Sequence, residues 1–181
     1  MQRLWRTVAI LVVLFGLLPF GLAAKPADHS FGLGKGNKTV VVPANTWVGT
    51  FVANTAGTGH ITKIELLVGD KNPSGVVRMA IYNATPCTIL QDLGCAAVVD
   101  GWVTISGLDI PVLGGAYYYL AFDLESPNTI KVVKKTEDGS YSALWPYDAE
   151  PFGRPGSALD MPPGGQTSSV QYVMRAAVTP D

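Results

Sequence analysis

Apolar and polar residues alternate with a period of two along most of this chain, in short runs divided by Gly, Pro, Asn and Asp, and that pattern predicts strands rather than helices. The first run, Thr39 to Val42, stops at Pro43. Trp47 to Ala53 follows, with Trp47, Phe51 and Ala53 on one face and Val48, Thr50 and Val52 on the other. In His60 to Val68, Ile64, Leu66 and Val68 fall opposite Lys63 and Glu65, as expected of a sheet with one wet face. Val76 to Tyr82 repeats this, setting Val77, Met79 and Ile81 against Arg78. Trp102 to Ile105 and the segment around Ile110 continue the series. Ala116 to Phe122 then places Tyr118, Leu120 and Phe122 opposite Tyr117, Tyr119 and Asp123. Ile130 to Lys135 and Tyr141 to Trp145 carry weaker signals, and Val170 to Val178 closes the chain with Gln171 and Arg175 facing away from its apolar side.

About eight or nine strands at this spacing predict an antiparallel β-sandwich, in which two sheets cover each other's single apolar face. A jelly roll is expected ahead of an immunoglobulin-like sandwich, because the Cys-Trp-Cys order of antibody domains is absent. One stretch falls outside the pattern. Pro146 to Ser168 holds five prolines and four glycines, and a connection of that length in a small domain is expected to be an ordered functional loop.

The N-terminus reads differently. Arg3 and Arg6 precede an uncharged run from Thr7 to Ala24 that ends in Gly21, Ala23 and Ala24, the form of a secretory signal peptide. Its apolar core is short for a membrane span. The expected organisation is therefore a signal peptide over residues 1–24, a flexible lead over 25–36 and one β-sandwich domain over 37–181. The expected location is secreted or periplasmic, with no stable membrane insertion after cleavage.

Charge narrows the class of partner. Thirteen basic residues stand against fourteen acidic ones in the 181-residue chain, and the signal peptide removes two of the basic ones, so nothing favours a nucleic acid. Lys131, Lys134 and Lys135 form the densest basic cluster, and lysines on a strand commonly guard a sheet edge. Cys87 and Cys95, close together in an exported chain, are expected to form a disulfide. Asn37-Lys38-Thr39 and Asn83-Ala84-Thr85 are glycosylation sequons.

Val77-Arg78-Met79-Ala80-Ile81-Tyr82, Gly101-Trp102, Leu108-Asp109-Ile110 and the hairpin from Leu113 to Phe122 resemble, in that order, a family of secreted jelly-roll domains similar to carbohydrate-binding modules, many of them without an assigned function. Ala116 stands where that family has glycine. The resemblance spans about residues 38–178. It implies a jelly-roll fold, polysaccharide or glycan binding, and a structural calcium ion as an option. Asp70, Asp123 and Asp160 are the first acids to consider for that ion.

The catalytic inventory is thin. His29 and His60 belong to no recognisable motif, and no nucleophile elbow, zinc pair or phosphate loop occurs. Asp70, Asp100, Asp123, Asp148 and Glu150 are scattered acids rather than an evident glycosidase pair. The expectation is a non-enzyme with no required cofactor that stacks sugar rings on exposed aromatics: Trp145 and Tyr147 beside the long loop, with help from Tyr117 and Tyr119. Trp47 and Trp102, which open strands, are expected in the core. The alternative is a structural or adhesive subunit whose Val-rich stretch, Asn37 to Val42, completes a neighbour's sheet by self-association.

Export with cleavage has a direct readout. Mass spectrometry of protein recovered outside the cytoplasm should find an N-terminus at Ala24 or Lys25, and an intact Met1 form in the membrane fraction would contradict it.

Overall fold

A computed structural model of the chain describes residues 29–84, 88–134, 142–145, 167–168 and 170–181. Among these residues the chain is built from strands in two sheets, and every strand pair is antiparallel. In chain order the strands are β1 (His29–Gly32), β2 (Lys38–Val42), β3 (Trp47–Ala53), β4 (Gly59–Val68), β5 (Val76–Asn83), β6 (Ile89–Ala97), β7 (Gly101–Val112), β8 (Tyr117–Leu124), β9 (Asn128–Lys134), β10 (Ser142–Trp145), β11 (Thr167–Ser168), β12 (Val170–Tyr172) and β13 (Met174–Pro180). One sheet runs β1-β13-β4-β9-β12, with β2 added on β9 and β7 on β4; the other runs β11-β10-β3-β8-β5-β6.

Four of the pairs enclose one another. β5 pairs β6, β4 pairs β7 around them, β3 pairs β8 around those, and β2 pairs β9 outermost. The chain therefore travels as a two-stranded ribbon with its tip at β5 and β6, and successive pairs fall alternately in the two sheets. The long C-terminal run is shared within one sheet: β12 lies on β9 and β13 on β4, with buried Val173 at the changeover.

Parity decides the core. Ile64, Leu66 and Val68 from β4, Val77, Met79 and Ile81 from β5, Leu120, Phe122 and Leu124 from β8, and Met174, Ala176 and Val178 from β13 meet between the sheets. All but Leu124, which lies past the run expected to end at Phe122, are inward positions of the alternation expected from sequence. Burying a side chain of this size contributes about 1.5–3 kcal/mol, so a one-residue slip of any central strand would exchange that gain for exposed apolar surface. Thr50 is the polar exception on the inner face of β3, and its hydroxyl donates to the Tyr172 carbonyl at 3.0 Å, linking one sheet to the other.

Part of the expected flexible lead is strand. β1 pairs with β13, and Phe31 packs into the core 5.9 Å from the Tyr118 ring. Likewise β2, the Val-rich stretch considered for strand exchange, lies on β9 of its own chain.

Strand β6 has a hidden period. Its core-packing residues are Leu90, Leu93 and Ala96, three apart rather than two, because the register against β5 shifts at Met79/Ala80 and again at Ile81/Tyr82. Each bulge inserts one residue and carries the apolar set onward. Cys95 lies on this strand, exposed and opposite Arg78, and there is no disulfide among the described residues. Cys87 lies outside them. Between the two cysteines, residues 88–94 are mostly extended strand.

Two buried asparagines fasten the turns. Asn54 Nδ2 donates to the carbonyls of Gly57 and Leu113 at 2.8 and 3.0 Å, while its Oδ1 accepts from Ala56 N at 3.0 Å. This joins the β3–β4 turn to the β7–β8 turn. There Gly114 comes so close to Gly57 that an added Cβ would stand 3.0 Å from its backbone. Asn128 does the same elsewhere, donating to Ser74 O and Ser126 O and accepting from Ser74 N. An Asn54→Ala variant would leave three backbone groups without their partners, and a loss of about 3 kcal/mol is expected. Equilibrium denaturant unfolding measures it, and a loss near zero would show that the clasp is dispensable.

Candidate functional site

The outward face of the six-stranded sheet is not a wet surface. Trp47, Ala80, Tyr82, Tyr119 and Ala121 form a second buried cluster there, with Phe51, Ala84 and Ile89 packed at its margin. The register lays these residues out in rows across the strands. Phe51, Tyr119 and Tyr82 make an aromatic row that ends at Ile89, and Gly49, Ala121 and Ala80 make a row of small residues beside it. Next comes Asp123 paired with Arg78, which is in turn opposite Cys95.

Of the four residues expected to bind a ligand, two separate sharply. Tyr117 is 53% exposed and stands at the end of this face, its ring parallel to Phe51 at 5.0 Å and 10°. Tyr119 shares the face but is only 5% exposed, tilted against Phe51 at 5.2 Å. It is a packing residue, because its place in the middle of β8 puts neighbours on both sides. Trp145 ends β10 in register with Trp47. Tyr147 lies outside the described residues, as does most of the Pro146 to Ser168 connection. Phe51 was not among the expected ligand residues, although its parity with Trp47 and its place opposite Tyr119 put it on the same surface.

Trp47 is buried, as expected, but in the outer cluster rather than between the sheets, and its indole Nε1 has no hydrogen-bond partner among the described residues. Beside it the Asp123 carboxylate accepts from Leu124 N at 2.8 Å. Burial pushes the Asp123 carboxyl above its usual range, against the opposing pull of the Leu124 and Thr46 amides and the Arg78 charge. Arg78 itself is held two-pronged by Asp92, through Nε to one carboxylate oxygen and Nη2 to the other.

The seven-stranded sheet presents a polar outer face. Trp102, expected in the core, lies here half-buried, with the Arg175 guanidinium 4.1 Å above the centre of its ring. Arg175 Nε donates to Glu65 Oε2 at 2.6 Å, the Thr104 hydroxyl donates to Oε1 at 3.2 Å, and Lys63 Nζ stands 3.5 Å from Oε1. Residues 63 and 65 of β4, 102 and 104 of β7, and 175 of β13 thus converge because three adjacent strands share one outward parity.

The remaining candidates are dispersed. Asp70 accepts from the Asn72 and Thr129 amides, which hold its carboxyl below the usual range, so it acts as a turn fastener. Asp123 is the buried acid described above, and Asp160 lies outside the described residues, as do Asp148 and Glu150. His29 begins β1. His60, on β4, contacts Asp109 through Nδ1 and approaches Asp181 at 3.6 Å through Nε2, all three on the exposed rim. Among the described residues no three His, Cys, Asp or Glu side chains are grouped as a metal site would need.

No family profile matches this chain, and the curated proteins include no match to it.

Glu65 gives the site a pH signature. Burial alone would raise its carboxyl, but the Arg175 hydrogen bond and charge, the Lys63 charge and the Thr104 hydroxyl together hold it below 4.5. A carboxyl whose folded value is depressed favours the folded state above its unfolded value, and that contribution is lost as pH falls through the folded one. Denaturant unfolding between pH 3 and 7 should therefore show a loss of stability on the acid side that is smaller in Glu65→Gln. Identical acid limbs in the two proteins would remove Glu65 as its source.

Proposed function

We propose that this protein is a secreted or periplasmic, non-catalytic binding module for an extracellular polysaccharide, built as a jelly roll. The four nested strand pairs support the jelly roll, since a two-stranded ribbon wrapped upon itself deals its pairs alternately into two facing sheets. The signal-like N-terminus supports export, and the family resemblance supports the ligand class.

The observation that carries the binding reading is the Phe51 and Tyr117 pair. Sugar rings offer apolar C–H faces to an aromatic surface and direct their hydroxyls to polar groups at its edge. Tyr117 offers an open ring held in place by a parallel neighbour. The same end of the sheet is stiffened by the Asn54 clasp, whose backbone bonds to Ala116 O and Gly115 N immediately precede Tyr117. A preorganised aromatic loses little conformational entropy when a ligand docks. A catalytic reading would need titratable groups converging on a cleft, and those of the described residues are spread over both outer faces and the rim.

The structural-subunit alternative has weaker support. Among the described strands β7 pairs only with β4 and β6 only with β5, which leaves them as sheet edges. β7 is broken by an irregularity opposite Ile61 to Lys63 and carries Pro111, and β6 is bulged twice. Bulges and proline discourage an incoming strand.

A polysaccharide screen with and without a chelator, run on wild type beside Tyr117→Ala, tests the reading. The variant should bind about tenfold more weakly, a difference of about 1.4 kcal/mol, with its thermal midpoint nearly unchanged because the ring is exposed. Failure of the wild type to bind any polysaccharide, together with concentration-dependent assembly, would favour the structural subunit instead.

A further inference from the structure

We propose that the outer face of the seven-stranded sheet is a second binding surface, specific for the carboxylate groups of an acidic polysaccharide, with Arg175 as the receiving group and Lys63 beside it. The ligand class rests on the glycan-binding reading above. The site is a different face of the molecule from Tyr117, with different chemistry.

A guanidinium carries five N–H donors, of which only one belongs to Nε. In Arg78 both Nε and Nη2 are spent on Asp92. Arg175 differs. Its Nε is fixed on Glu65 and its plane lies over Trp102, while no described residue accepts from its two terminal nitrogens. The side chain nevertheless keeps 34% of its surface open. This is a cation held by a carboxylate at Nε and by a ring beneath Cζ, with its two terminal nitrogens used by neither support.

The surroundings are built to keep it there. Glu65 is held by Thr104 and Lys63 as well as by Arg175, so it is a buried anchor rather than a free competitor for the guanidinium. On the β1 side the residue opposite Arg175 is Gly32, at φ +101°, where an added Cβ would lie 2.4 Å from Met174 O. Gly32 puts no side chain of its own on that flank. Arg175 and Lys63 face a single carboxylate, leaving one positive charge in excess on this patch of a chain whose formal net charge is −1.

Planar fork geometry selects a carboxylate that can take two parallel N–H bonds. The exposed Thr104 and Ser106 on β7 lie opposite Glu65 and Lys63 and offer hydroxyls to the sugar that bears it. Two cations are too few for the multiple phosphate contacts on which nucleic-acid binding depends. They suit a uronic acid residue, which brings one carboxylate and several hydroxyls.

Affinity electrophoresis of the protein in gels containing polygalacturonate, its methyl ester, dextran sulfate or a neutral glucan tests this. Retardation is expected in polygalacturonate at low salt and not in the ester. Arg175→Gln should weaken it at least tenfold, Arg175→Lys should weaken it less, and Tyr117→Ala should leave it unchanged. Because Arg175 also supports Glu65, Lys63→Gln, which keeps the Arg175 and Thr104 bonds to Glu65, provides a milder check: a two- to threefold loss with the thermal midpoint within a degree or two of wild type. The proposal is overturned if the wild type passes polygalacturonate unretarded, if Arg175→Gln binds like wild type, or if dextran sulfate and the methyl ester retard it equally. Loss of neutral-glycan binding in Tyr117→Ala with polygalacturonate binding intact would support two separate surfaces, whereas a wild type retarded by polygalacturonate but by no neutral glycan would leave this surface standing without the Tyr117 one.

Discussion

Ile64 and Leu66 in one sheet and Leu120 and Phe122 in the other have no exposed surface, and withdrawal of these inner faces from water is what holds the two sheets together. The contact is unforgiving in register, because strand side chains alternate and a single-residue slip reverses every one of them. The outer faces inherit their composition from it. Whatever parity the core leaves unused on β3, β5 and β8, or on β4, β7 and β13, becomes the surface on which binding chemistry can be placed.

Those two surfaces have been used in opposite ways. On the six-stranded sheet the leftover parity is aromatic and small over much of its width, so it condenses into a second apolar cluster, with Tyr117 exposed at one end and the Asp123, Arg78 and Cys95 row at the other. On the seven-stranded sheet it is charged and hydroxylic, and the low polarity beneath it is met by pairing: Glu65 accepts from Arg175 and Thr104 and lies near Lys63. A buried carboxylate with these partners is an anchor. It turns Arg175 from a mobile surface cation into a positioned one.

The turns carry the other constraint. An antiparallel ribbon that wraps on itself must change sheet repeatedly, and each change exposes backbone groups that the ladders no longer satisfy. Asn54 and Asn128 meet that demand with side-chain amides that both donate and accept, and bulges in β4, β6 and β7 absorb the curvature. In β6 and β7, which are edge strands, the same irregularities make a poor template for a further strand.

The alternation in the sequence determined the all-β class, most of the strands, and which parity of β4, β5, β8 and β13 faces inward, because side-chain parity is a local property of an extended backbone. It did not reveal β6, whose Leu90, Leu93 and Ala96 follow a spacing imposed by bulges against β5. Nor did it separate Tyr117 from Tyr119, or place Trp47 and Trp102 on the outer faces. A residue's own sequence window says that it points out, but not what will lie beside it. Glu65 and Arg175 are 110 residues apart in the chain and become a pair only because β13 lies on β4. Which outward face closes, which stays wet and which cation is held in place are decided by long-range strand order, and that order exists only once the two inner faces have found each other.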